Sequence, residues 1–166
     1  MPEKRTLERA QKDKREGKSP STQAGEFVKE EMDHIREGKH GARSSKQAIA
    51  IGLSKARRAG VKLPPPKAGK TSSRTRKQAA RDTAKGSSSR KQAPSRKRSR
   101  ATSNALKREG SSAASHQALS RQAHSTARSR SAANRSQAAR KAARTKGPAE
   151  RSSAARKAAR TRARRG

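Results

Sequence analysis

KQAIAIGLSKARRAG, residues 46–60, is the stretch on which the fold turns. Ile49, Leu53 and Ala56 recur at helical spacing along one face, and Ile51 widens it. Ser44 and Gln47, three apart, have the spacing of a capping box just before the apolar run. Lys55, Arg57 and Arg58 crowd the last turn, where cations favour the helix dipole, and Gly60 suits the stop. Reading backwards, Ser19-Pro20 is an N-cap followed by a first helical residue. Ala24, Phe27, Val28, Met32 and Ile35 keep the same period, and Gly38 ends that helix. A more polar helix is expected from a Thr6 cap to about Glu16, closed by Gly17. GKHGAR, 38–43, is a short connection, so the two amphipathic helices should form a hairpin. Its expected core is thin: Leu7, Phe27, Val28, Met32, Ile35, Ile49, Ile51, Leu53, Val61 and Leu63.

Beyond Leu63 the composition changes. Residues 1–66 hold 16 basic and 9 acidic side chains, whereas residues 67–166 hold 30 and 3. Only Leu106 and Leu119 remain as large aliphatic residues. Over the whole chain 27% of residues are hydrophobic, the net charge is +34, and Phe27 is the one aromatic. Such a composition cannot bury enough apolar surface to offset its ordering entropy. The expected architecture is therefore a small all-α helical hairpin of two to three helices over 1–63, with its core at 19–60. A Pro/Gly linker, PPPKAGK, should occupy the region 64–70, and a long, largely disordered basic tail with transient helices should follow over 71–166. The tail contains a repeat: Arg135–Thr145 and Arg151–Thr161 match at ten of eleven positions and are split by Gly147-Pro148.

Few catalytic chemistries fit. Without Cys there is no disulfide, thiolate nucleophile or Cys-ligated zinc. AGKTS, 68–72, has the end of a phosphate-binding loop, but Pro64 stands where its first glycine belongs. Glu30, His34 and Glu37 share a helix face in a pattern common on charged surfaces. His116 and His124 have no orienting partner, and no Ser has a recognisable base. The expectation is a non-enzyme without cofactor, metal or small-molecule substrate. No apolar run reaches the roughly 18 residues of a membrane span, and the first residues do not read as a secretory signal.

The strong signal is charge. Each Lys or Arg that neutralises a phosphate releases condensed counterions, without reading sequence. The residues expected to contact nucleic acid are Arg57, Arg58 and Lys62 at the end of the hairpin and Arg96, Lys97, Arg98 and Arg100 in PSRKRSR. Within and after the repeats they are Arg140, Lys141, Arg144, Lys146, Arg156, Lys157, Arg160, Arg162, Arg164 and Arg165. A tail without aromatics lacks the stacking platform that most single-strand and RNA modules use, which tilts the target towards duplex DNA.

Residues 17–66, and KQAIAIGLSKARRAG above all, resemble a family of short basic bacterial proteins of mostly uncharacterised function, some labelled DNA-binding. The tail is similar in style to bacterial linker-histone-like proteins, with Arg and Ser replacing much of their Lys. The resemblance implies a bacterial source, and the charge of the tail leads to the expectation of a cytoplasmic, nucleoid-associated, histone-like protein that binds duplex phosphates and compacts DNA. The rivals are an RNA- or ribosome-associated binder, and a protein-interaction module in 17–66 with a generic polyanion-binding tail. Self-association or a protein partner would use 17–63.

Overall fold

The computed structural model describes residues 2–88 and 95–164. Among them are seven α-helices: α1 Lys4–Arg15, α2 Pro20–Arg36, α3 Ser45–Arg58, α4 Ser73–Ser87, α5 Arg96–Lys107, α6 His116–Arg128 and α7 Ala132–Ala163, with a 3-10 turn at Ser112–Ala114. Two compact units result, residues 1–122 and 123–166.

In the first unit α2 and α3 form the hairpin. Ser19 accepts from the Thr22 N–H and Ser44 from the Gln47 N–H. Gln47 Oε1 reaches back to the Arg43 N–H at 2.9 Å. Gly38 and Gly60, at φ 73° and 92°, take the left-handed conformation after α2 and α3. The register follows from the two apolar clusters. Met32 and Ile35 of α2 meet Ala48 of α3, while Ala24 and Phe27 meet Ala56. The helices are therefore antiparallel and touch along Ala48, Gly52 and Ala56, all buried. Ile49, Ile51 and Leu53 are only half-buried. The larger residues flank a seam made of small ones. A Cβ on Gly52 would lie 2.7 Å from Val28 Cα and 3.0 Å from the Phe27 carbonyl oxygen, both backbone atoms that cannot swing away.

Helix α1 crosses α2 through Leu7 and Ala10, with Arg9 3.5 Å from Glu26. It begins at Lys4 after an N-cap Glu3, so Thr6 is a buried residue inside the helix and not its cap. The Glu3 N–H donates to Glu30 Oε2 at 3.1 Å. Beneath it lies a buried charge cluster. Lys55 Nζ is 2.6 Å from Glu31 Oε2 and 3.4 Å from Glu30 Oε1.

The tail expected to be disordered is helical over most of its described residues, in regular helices rather than transient ones. Three causes account for this. Ala, Arg, Lys and Gln are strong helix formers. Serines place N-caps: Ser72 accepts from the Thr75 N–H, Ser115 from Ala118 and Ser131 from Asn134, each worth about 1 kcal/mol. Finally, part of the tail is packed. Ala79 and Asp82 of α4 are buried against the hairpin, as are Ala113 and Ala114 of the 3-10 turn. The Ser45 hydroxyl donates to the Ala113 carbonyl at 2.6 Å, and Arg36 Nε donates to that of Ala114 at 3.0 Å. The intrinsically disordered character expected from composition is thus overturned: burial of small residues, which hydrophobicity averages do not register, holds α4 and the 3-10 turn, and propensity and caps hold the other helices.

The tight seam predicts that Gly52→Ala lowers stability by roughly 1–3 kcal/mol, through overpacking. Thermal unfolding followed by circular dichroism reads this directly. Lys55→Met strips the cation from a carboxylate with 0% exposure. It should cost roughly 3–5 kcal/mol. Adding Glu31→Leu in the same chain should recover much of that loss.

Candidate nucleic-acid interface

Helix α4 is docked by one carboxylate. Asp82, 2% exposed, accepts from the Ser54 hydroxyl at 2.6 Å and from Gln78 Nε2 at 3.1 Å, and Arg58 Nε lies 3.5 Å away. Gly86 sits where a Cβ would run into the Arg57 carbonyl. With Ala79, Asp82 and Gly86 turned to α3, the opposite face carries Arg74, Lys77, Arg81 and Lys85, all exposed and spaced three or four apart. Sequence reasoning missed this row. Its signal was Asp82 itself, one of only three acids after residue 66. A second of those acids, Glu109, pairs with Arg43 at 3.6 Å. Two of the three thus tie the basic segment to the hairpin.

The three hairpin residues expected at the interface separate. Arg57 is buried, donating from Nε to the Leu63 carbonyl and from a terminal nitrogen to that of Pro64, both at 3.3 Å. It fastens the proline segment back on α3 and is removed from solvent. Burial pulls its pKa down, against the pull of Asp82, but a guanidinium stays charged. Arg58 is exposed, yet its guanidinium already engages Asp82 and donates to the Ser54 hydroxyl at 2.8 Å. Lys62 is exposed.

Arg96, Lys97, Arg98 and Arg100 are exposed on the first turns of α5, which holds no acidic residue there. Four cations beside the positive end of a helix repel one another and favour an anion.

In the second unit α7 carries both repeats. Gly147, at φ 63° and ψ 170°, interrupts it, and Pro148 opens the next helical segment. Each copy of the repeat then takes the same local form. Thr145 donates to the Lys141 carbonyl at 2.9 Å, and Thr161 donates to that of Lys157 at 3.0 Å. Arg140 and Arg144 align on one face of the first segment, and Arg156, Arg160 and Arg164 on one face of the second. These five, with Lys141, Lys157 and Arg162, are exposed. The Lys146 side chain and Arg165 lie outside the described residues. Residues 123–166 contain fourteen Lys and Arg against one acid, Glu150.

Phe27, the chain's one aromatic, is 1% exposed and offers no face for base stacking. No described helix is long and apolar enough to cross a membrane. Residues 13–68 match a family of unknown function, DUF6496, which spans the hairpin and covers about a third of the chain. No curated protein and no solved structure matches the chain.

Because Asp82 holds α4 in place, Asp82→Ala should free that helix selectively. Amide hydrogen exchange is expected to lose protection over 73–87 while α2 and α3 keep theirs, at a cost of about 1–3 kcal/mol.

Proposed function

We propose that the protein is a histone-like binder of duplex DNA that holds phosphates on preformed cationic helices, without reading base sequence, and compacts the duplex. The observation that carries this reading is α7. Its two segments place Arg140 and Arg144, then Arg156, Arg160 and Arg164, on exposed helical faces with a single acid between them. Like charges four apart cost a helix a few tenths of a kcal/mol per pair. A polyanion turns that repulsion into attraction, so the arrangement gains most in its presence.

The mechanism is counterion release. Each ion pair formed with a phosphate frees condensed cations, and log affinity falls with log salt by about 0.9 per contact on B-DNA. Helices ordered beforehand lose less entropy on binding than a disordered tail. The α4 row supplies a second cationic face. Ala fills the positions between the charges, so the helix can approach the backbone closely. The absence of an exposed aromatic favours contacts with phosphate over stacking on unpaired bases. The similarity of 17–66 to basic bacterial proteins, and of the repeats to linker-histone-like tails, supports the same reading and a nucleoid setting.

The full chain, titrated with duplex DNA at several salt concentrations, should give a steep linear log–log plot. Replacing Arg140, Arg144, Arg156, Arg160 and Arg164 with Gln should reduce the slope by up to about 4 to 5. A flat salt response would overturn the proposal. Tighter binding of structured RNA than duplex DNA at matched salt would move it to the RNA reading.

A further inference from the structure

The charge cluster under α1 contains an anomaly. Glu31 is fully buried, and neither of its carboxylate oxygens accepts a hydrogen bond. Its neighbour Glu30 is provided for, because the Glu3 N–H and Lys55 both donate to it. Glu31 has Lys55 Nζ at 2.6 Å from Oε2 and His40 Nε2 at 3.3 Å from Oε1, both close by but without hydrogen-bond alignment. An unsatisfied buried carboxylate is costly, and it is retained here beside two imidazoles. Donor atoms of Glu31, His34 and His40 all lie within 4.8 Å of one another. We propose that Glu31, His34 and His40 form a binding site for a divalent transition metal of the Zn²⁺ class, with Glu31 Oε1 and His40 Nε2 as two of its ligand atoms.

The orientation of the His40 ring supports this. Its Nδ1 lies 3.2 Å from the Gly41 carbonyl. A carbonyl only accepts, so Nδ1 is the protonated nitrogen held by the backbone, and Nε2, on the Glu31 side, is the atom a metal would take. Metal-bound histidines are commonly oriented in this way by a backbone carbonyl or carboxylate. His34 has the other kind of partner, Glu3 Oε1, at 2.8 Å from Nε2. In a tetrahedral zinc site with ligand bonds of about 2.0–2.2 Å, neighbouring donors stand about 3.3–3.5 Å apart. The His40–Glu31 separation already has that value. The His34 donor atom, within 4.8 Å of the other two, would have to close by up to about 1.5 Å.

The loop bearing His40 is also fixed. The Gly41 N–H donates to the Leu106 carbonyl at 2.9 Å, and that of Ala42 donates to Gly110 at 3.2 Å. A side chain at 41 would collide with the Glu109 backbone, so glycine is required there. The local charge balance is favourable despite the basic chain. Glu3, Glu30, Glu31 and Glu37 face Lys39 and Lys55 around the two histidines. Two imidazoles and one carboxylate suit zinc better than calcium or magnesium, which prefer oxygen. Three protein ligands would leave one position of the metal for water or another donor.

The chain has four histidines, so His116 and His124 serve as internal controls. Full-length protein, stripped with a chelator, is titrated with Zn²⁺ alone while the imidazole resonances are followed by NMR. Only those of His34 and His40 should move, saturating at one ion per chain. Calorimetry should show binding weakened at least about tenfold by His40→Ala and by Glu31→Gln, a loss no smaller than that for removing an outer partner. Circular dichroism checks that each variant keeps its helices, and the wild-type NMR result stands if one does not. Equal shifts at all four histidines, no saturable binding, or folded variants that bind as tightly as the wild type would each overturn the assignment.

Discussion

The approach of α3 to the backbone of α2 at Gly52 governs the rest of the molecule. With Val28 Cα only 2.7 Å from where a Cβ would stand, the helices meet through main chain and alanine, not interlocked leucines. A seam of that kind buries little apolar area per residue but leaves no void, so dispersion over many short contacts replaces the usual large core. It also sets the level at which everything else docks. Lys55, one turn on from Gly52, is carried to Glu30 and Glu31. Ser54 and Arg58 are turned outward to receive Asp82, and Ser45 receives the 3-10 turn.

The acidic residues follow the same logic. Nine lie in the first 66 residues, and in that half they hold helices together: Glu3 and Glu26 for α1, Asp13 for the turn through Lys18, Glu30 and Glu31 for α3. Asp82 and Glu109 extend that use into the basic half. In α7, where Glu150 is the single acid, helices persist on propensity and caps, and the described Arg and Lys side chains are exposed. Among the described residues the charge therefore divides into a paired part that builds the fold and a cationic part left exposed.

Reading the residues recovers the hairpin well because its signals are local. Ser19, Ser44, Gly38 and Gly60 mark helix ends through their own side chains or lack of one, and neighbours a few residues away complete the geometry. The same serine signal stands at Ser72, Ser115 and Ser131, yet composition outweighed it and the tail was expected to be disordered. Thr6 errs the other way, being a capping residue type placed inside a helix. The interface was legible as charge but not as availability. Arg57 and Arg58 look like their neighbours in sequence, and only their partners, the Leu63 and Pro64 carbonyls and Asp82, remove them from the free set.

The sequence by itself determined helix ends, the hairpin, the cationic excess and the doubled repeat, because these depend on propensity, capping and charge within a few residues. The tertiary structure alone decided that alanines and Gly52 form the seam, that α4 presents Arg74, Lys77, Arg81 and Lys85, and that Glu31 meets His34 and His40. Those facts rest on contacts between residues distant in the chain. Their sign depends on which atoms are buried together, and a small residue or a lone acid carries no mark of its future partner.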